Sequence, residues 1–375
     1  MKNTNLFRIS ALILAAIMLC TVLCSCGGVA KARTAMSYEG YAVTDYMYEY
    51  WQRQFKSYFL YVYGGEDTVE YLGTKLGEDY GNKTIGEFFT EQINDIAKTY
   101  LAGWYLFDEV YKLTLPESIT ASIDEMIESD IANAGDRASL NKTLSEMNMN
   151  IDRLRQVYEI EEKVAYVYAY LYGDASMGIV GVEPITDDDL GKYFTEKYVA
   201  IEHILINTTV EYVLDDEGNY TYDSAGNYEY VELDETETAK KEALADDVWQ
   251  KLQDGADFAQ LKAQYNDDVD AKNYQKGYFI AADSGYPQNF TKAAMEMEIG
   301  EMRMVSESYG RHIMRRIELD PEGYKDEAYT SSVLSNFAEY VTSYVYTQKI
   351  QHILDAISID AEILEEYPIM PTEAK

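Results

Sequence analysis

The stretch VAIEHILIN, Val199 to Asn207, is a β-branched run with one histidine, His203, set in its middle. It is apolar on both faces, as a central strand covered on each side should be. A second stretch, SESYGRHIMRR from Ser306 to Arg316, carries His312 on a similar run. The chain has three histidines against 36 tyrosines in 375 residues, so two of its scarce imidazoles sit on strand-like segments. One histidine on an apolar strand reads as a satisfied core residue. Two, on separate strand-like runs, raise the question of what they are for, and His352 in a C-terminal helical run reads as structural.

Between the two strands the pattern is regular. YVLDDEGNYTYDSAGNYEYV, Tyr212 to Val231, repeats a D-x-x-G-N-Y unit at Asp215–Tyr220 and Asp223–Tyr228. Gly-Asn turns between alternating tyrosine-rich runs predict a small β-hairpin decoration. The aspartate spacing does not fit an EF-hand loop, where glycine is sixth. Asp234 with Glu237 and Asp257 with Gln260 predict the caps of two helices, the first ending near Gly255. A strand at Gly277–Ala281, a short helix around Phe290–Met297 and the RHIMRRIEL strand complete a β-α-α-β-α-β order.

Outward from this module the texture is helical. TIGEFFTEQINDIAKTYLAGWYLFDEV places Ile85, Phe88, Phe89, Ile93, Ile96, Ala97 and Tyr100 at three- and four-residue steps. Thr84 and Glu87 form a capping box in sequence. The helical pattern runs from Tyr38 to about Gly173, and a Gly- and Asp-rich linker follows to Asp189. It resumes from Pro321 to Ile359, and the last residues, YPIMPTEAK, read as a frayed tail.

The N-terminus carries Lys2 and Arg8 ahead of the apolar run ALILAAIMLCTVLC, the layout of a signal peptide. It ends in LCSCGG, which resembles a bacterial lipobox with Leu23 at −3, Ser25 at −1 and Cys26 as the lipidated cysteine. A plain secreted protein cut at Ser25 is the alternative. All three cysteines lie in this segment, so the mature chain is expected to hold no disulfide and no cysteine metal site. Roughly 350 residues then remain, room for two or three modules. At 47% hydrophobic residues the chain can bury real cores. Its formal charge of −35 argues against nucleic acid, since no basic stripe exists to neutralise phosphates.

The second region resembles the parvulin family of peptidyl-prolyl isomerases. The likeness runs through YVAIEHILI, ADFAQLKAQYNDD, KGYFI, FTKAAMEMEIGEM and ESYGRHIMRRIEL, in that order. The flanking helical regions and the lipobox look like those of extracytoplasmic foldase lipoproteins of the PrsA type, with a SurA-like helical chaperone domain. The resemblance implies an α+β fold: a helical domain built from both ends of the chain, with a parvulin-like module inserted. The expected boundaries are 1–25 for the signal peptide, 26–190 for the N-terminal helical domain and 191–320 for the module, with its hairpin insertion at 210–233. Residues 321–360 are expected to complete the helical domain, and 361–375 to form a flexible tail.

It also implies site residues. His203 and His312 match the neighbouring histidines beneath a bound proline, and Asp268 in YNDD stands where the family carries Cys or Asp. Phe290 matches the aromatic of the proline pocket and Phe279 a second apolar wall. Lys276 stands in place of an apolar pocket residue, Tyr286 with Pro287 at the pocket methionine, and Glu307 at a hydroxyl residue near the second histidine. The implied activity is cis/trans isomerisation of X-Pro bonds, with no cofactor and no metal. The implied partners are unfolded or newly exported polypeptides and a membrane reached through the lipid anchor; a homodimer stays open, and no nucleic acid is expected. The expected location is the extracytoplasmic face of the bacterial cell membrane. Two other readings stay open: a catalytically weak holdase of the same architecture, and a solute-binding lipoprotein. The latter class needs doubly wound lobes, which the long helical N-terminal region disfavours.

Overall fold

A computed structural model describes residues 29–77, 80–215, 217 and 219–371. The expected signal peptide and Cys26 lie outside the described residues. In chain order the elements are β1 Thr34–Tyr38, β2 Tyr41–Thr44, α1 Asp45–Tyr63, α2 Val69–Leu72, α3 Ile85–Tyr105, α4 Glu117–Ala134, α5 Arg137–Ser145 and α6 Ile151–Tyr172. Then come α7 Asp187–Lys197, β3 Val199–Asn207, β4 Val210–Tyr212, β5 Tyr230–Glu232, α8 Glu235–Gln253 and α9 Phe258–Tyr265. The chain continues through β6 Tyr278–Ile280, α10 Gln288–Glu296, β7 Met302–Glu307 and β8 Gly310–Ile317. It ends with α11 Glu327–Thr330, α12 Phe337–Leu354, β9 Ser358–Ile359 and α13 Ala361–Glu365. The fold is α+β and divides into two compact units: Ile185–Val341, and the residues up to Pro184 together with those from Thr342 onward.

The second of these units is mainly helical. α3 starts at the capping box of Thr84 and Glu87 that the sequence announces. The inner faces of α1, α3 and α6 bury Trp51, Phe89, Ile93, Leu101, Leu154 and Val157 in one core. A methyl on Gly103 would sit 2.9 Å from Val164 and 3.1 Å from the Tyr346 hydroxyl, so the absent side chain lets α6 and α12 approach α3 closely. Two features differ from the sequence reading. Residues 34–44 form a β-hairpin instead of leading into helix, and β9 adds to it in the order β2-β1-β9. The turn residues Glu39 and Gly40 both have positive φ, 45° and 89°, which suits a two-residue hairpin turn. The expected frayed tail is also packed. Ile363 and Ile369 are buried in the core, and the Arg33 guanidinium grips both oxygens of Glu366 at 2.7 and 2.8 Å.

The other unit is built on an antiparallel sheet in the order β6-β3-β8-β7. β3 is its centre and is covered on both faces, as its apolar sequence requires. One face packs on α10 through Phe290, Ala293, Ala294 and Met297. The opposite face packs on α8 and α9 through Val248, Leu252, Phe258 and Leu261. The observed order is β-α-α-β-α-β-β, so the sequence reading missed one strand, β7, whose half-exposed MRMVSE pattern gives it no apolar run. Residues 321–341 also group with this unit and not with the helical one. Tyr324 and Phe337 pack on Phe194 of α7, and Tyr329 stacks on Phe279 at 4.2 Å. Between β3 and α8, β4 and β5 pair antiparallel. Further bridges at Leu214–Tyr220 and Tyr222–Tyr228 extend this hairpin outward.

Candidate functional site

The register of β3 against β8 decides where the histidines meet. His203 lies opposite Met314, and His312 lies opposite Leu205. The two histidines are therefore a diagonal pair on the same face, a spacing that ring side chains can bridge. Their rings lie 5.1 Å apart and within 19° of parallel. The two Nδ1 atoms are 3.0 Å apart, and both residues are buried. Gly310, at the start of β8, allows the ladder to close here: a Cβ on it would stand 2.5 Å from the Ile206 carbonyl oxygen.

Asp268 reaches the pair from the loop after α9. β6 covers only the first residues of β3, which leaves later backbone N–H groups of β3 without a strand partner. The loop supplies one. Asn266 Oδ1 accepts from Leu205 N at 2.7 Å, Asp267 Oδ2 from Asn207 N at 2.9 Å, and Asp267 N donates to Leu205 O at 2.8 Å. This lacing fixes the next residue, so Asp268 Oδ2 lies 2.7 Å from His203 Nε2. The Tyr278 hydroxyl donates to the same oxygen. At the far end, the Tyr309 hydroxyl is 3.1 Å from His312 Nε2.

One charge orders every proton in this row. Burial pushes the Asp268 carboxyl up, but hydrogen bonds and charge from His203, with the Tyr278 hydroxyl, outweigh burial and hold it below the usual carboxylate range. Ionised Asp268 can only accept, so His203 donates from Nε2. In the neutral form of His203 its Nδ1 accepts, so His312 donates from Nδ1 and the His312 Nε2 accepts from Tyr309. Burial lowers the His312 imidazole to about 3, with the neighbouring His203 adding to the effect. Both histidines have their two nitrogens engaged in this row.

An aromatic box stands over the pair. Phe290 meets both imidazoles edge to face, at 5.3 Å from His203 and 5.1 Å from His312. Its backbone N–H is held by Glu307 Oε1 at 3.2 Å, so the residue standing at the family's hydroxyl position anchors α10 instead. Tyr278, Tyr286 and Tyr212 contribute further walls to a pocket of about 290 Å³. A larger hollow nearby, about 510 Å³, is lined mostly by Thr, Ser and Glu and contains neither histidine. Among the described residues no group of His, Cys, Asp and Glu is placed to hold a metal ion.

The structure thus brings together His203, His312, Asp268, Phe290 and Tyr286. Two expected pocket residues lie elsewhere. Phe279 neighbours Tyr278 on β6, and successive strand residues face opposite ways; it stacks on Tyr329 and meets Phe194 edge to face, away from the pocket. Lys276 is drawn off by two carboxylates, Asp320 at 2.9 Å and Asp326 at 3.1 Å. Sequence reasoning also missed Tyr278, Tyr309 and the lacing pair Asn266 and Asp267. The period-two rule applied to GYF would have found Tyr278, since Tyr278 must share the face of Ile280, which packs with Phe290. Nothing in the sequence pointed to Tyr309.

Residues 191–318 match the family model of the PPIC-type PPIASE domain. Among curated proteins, the chain is 33% identical over 87 residues to foldase protein PrsA 1 of Lactobacillus johnsonii, covering 22% of this chain and 29% of that protein. It is 35% identical over 89 residues to foldase protein PrsA of Pediococcus pentosaceus, covering 22% and 30%. The matched stretch thus spans less than a third of either relative. Among solved structures, PrsA from Bacillus subtilis aligns at 19% identity with a TM-score of 0.25, covering 81% of this chain and 95% of that one. Peptidylprolyl isomerase (PrsA) from Bacillus cereus aligns at 17% with 0.28, covering 81% and 95%.

The proton row makes a spectroscopic prediction. Nitrogen-15 shifts should show His203 protonated on Nε2 and His312 on Nδ1, with His312 neutral from pH 8 down to pH 5. A free histidine titrates near 6.5, so unfolded His312 takes up a proton that the folded one refuses. The stability His312 contributes is complete above pH 6.5 and is lost as pH falls toward about 3. Its share of the slope of unfolding free energy against pH is at most about 1.4 kcal/mol per pH unit. An imidazolium signal from His312 at pH 6, or the opposite tautomers, would overturn the assignment.

Proposed function

We propose that this protein is a lipid-anchored extracytoplasmic foldase that interconverts cis and trans X-Pro bonds in exported, incompletely folded polypeptides. The observation that carries the reading is the buried His203–His312 pair, oriented by Asp268 and roofed by Phe290. The match of residues 191–318 to a PPIC-type PPIASE domain supports the same chemistry.

The reaction needs no nucleophile. Rotation about the peptide C–N bond is slow because it breaks amide resonance, a barrier of about 18–20 kcal/mol. An X-Pro bond is a productive target, since its two isomers differ by only about 0.5–1 kcal/mol. A site accelerates the exchange by binding the twisted amide better than either planar form. The planar amide carries more charge on its oxygen, so water favours it. An aromatic box that grips the proline ring and excludes water removes that advantage.

The two imidazoles serve as a rigid floor. Their nitrogens are all engaged within the row, so neither histidine is free to attack or to exchange protons with a substrate while the row is intact. The Tyr286 hydroxyl differs: it is buried and has no hydrogen-bond partner among the described residues. Leaving such a group unpaired costs about 1–3 kcal/mol. A substrate carbonyl, or the proline nitrogen once twisting frees its lone pair, would satisfy it. A group whose pairing improves in the twisted state lowers the barrier.

The holdase alternative shares the architecture and differs only in turnover. Isomerisation of a proline-containing tetrapeptide separates the two. Alanine at His203 or at His312 should each lower kcat/KM by roughly ten- to hundredfold, the equivalent of about 1.4–2.7 kcal/mol and within the cost of leaving a buried polar partner unpaired. The double variant should lose little more, because the pair acts as a unit. Tyr286→Phe should lower kcat more than it raises KM. A wild-type protein with no rate above the uncatalysed one would leave the holdase reading in place.

Anchoring rests on the lipobox-like LCSCGG and Cys26. No helix among the described residues is long and apolar enough to cross a membrane. Acyl chains on Cys26 would hold the protein at a bilayer, each buried methylene adding about 0.8 kcal/mol. Cys26→Ala should move the protein to the soluble fraction or leave an uncleaved precursor. Unchanged partition into detergent would contradict the anchor.

A further inference from the structure

The hairpin between β3 and α8 has no part in the chemistry above, yet it begins at the pocket. Its first strand supplies Tyr212, which lines the proline pocket together with His203 and Phe290. From Tyr212 the rings continue outward. Tyr212 is 5.8 Å from Tyr220 and 5.7 Å from Tyr228, Tyr220 and Tyr228 are 5.4 Å apart, and Tyr222 lies 4.8 Å from Tyr228. None of these rings is fully buried, and Tyr222 keeps 53% of its surface exposed.

The hairpin is a built element. At its base Asn207 Oδ1 accepts from Thr209 N and Val210 N, both at 3.0 Å. Each tip is tied by an aspartate: Asp215 accepts from the Asn219 backbone at 2.8 Å, and Asp223 from the Asn227 backbone at 2.9 Å. A row of partly exposed tyrosines held this firmly and continuous with the pocket is a surface kept in shape for contact.

Its charge indicates the occupant. Val210–Glu232 contains seven acidic residues and no lysine or arginine. At the pocket edge Asp270 adds a further exposed carboxylate, while Asp267 is already paired with Lys241 at 3.2 Å. Tyrosine faces attract cations, and neighbouring carboxylates add to the attraction. We propose that the hairpin is an extended subsite for the substrate polypeptide, taking an arginine or lysine that flanks the proline held in the pocket. This inference rests on the proline-site reading and adds a preference for basic segments.

The test uses the full chain and long peptides with one central proline, flanked on both sides by arginine or by its neutral isostere citrulline. Binding is followed by titration and turnover by isomerisation rate, with a proline tetrapeptide as the short reference. Wild type should bind the arginine peptide about fivefold more tightly than the citrulline one, the size of a partly exposed cation–π contact. The margin should shrink at high salt. The double variant Tyr220→Ser with Tyr228→Ser should lose the margin while tetrapeptide turnover stays unchanged. Tyr220→Leu with Tyr228→Leu, which keeps bulk in the hairpin, should lose it too. Equal binding of the two peptides by wild type, or a margin that survives in both double variants, overturns the subsite. A margin that behaves as expected in a protein without isomerase activity sinks the isomerase reading and leaves the subsite standing.

Discussion

The ionised carboxylate of Asp268 fixes the rest of the site. It is nearly buried, with 13% of its side chain exposed, and a buried charge is tolerated only when hydrogen bonds surround it. Three donors meet it: His203 Nε2, the Tyr278 hydroxyl and the Asp270 backbone N–H. Because the carboxylate cannot donate, its charge sets the tautomer of His203, then of His312, then the direction of the Tyr309 hydroxyl. Each link is a buried polar group whose partner would otherwise be lost, so the order propagates along the row. The aromatic roof stands on that floor, with Phe290 edge to face over both imidazoles, and burial in it is what depresses the His312 imidazole.

The position of Asp268 depends in turn on strand geometry. β3 is paired along its length by β8, but β6 is too short to cover the other edge. Asn266 and Asp267 finish that edge with side-chain hydrogen bonds, and doing so places Asp268 under His203. The YNDD segment is thus a substitute strand followed by a ligand for the imidazole.

Much of this was legible in the sequence where periodicity and spacing are strong. The two β-branched runs gave β3 and β8, and the caps at Thr84, Asp234 and Asp257 gave the starts of three helices. Asp268 and Phe290 came from resemblance and lie against the histidines. What escaped has physical causes. β7 is half exposed and has no apolar run, and the β1–β2 hairpin is only a few residues long, with a turn built on Glu39 as well as glycine. Phe279, which the resemblance implies as an apolar wall, faces away from the pocket because neighbouring residues of β6 face opposite ways, and Tyr278 takes the pocket side. Lys276 could be assigned away from the pocket only once Asp320 and Asp326, distant in sequence, were placed beside it. Tyr309 reaches His312 across a tight turn, a contact that neither composition nor spacing signals. The last residues read as frayed because they are short and contain two prolines, whereas Ile363 and Ile369 fill the helical core.

The central claim is that the aromatic box over the His203–His312 floor binds a proline and eases its rotation. Exchange spectroscopy on a proline peptide, with a small fraction of the protein added, measures this directly. The account predicts cis–trans exchange peaks at mixing times too short for the uncatalysed reaction, with resonances of Phe290, Tyr278 and the two histidines shifting as peptide is added. Shifts in those residues without exchange would mean a binding site that does not catalyse. The absence of both exchange and shifts would contradict the account.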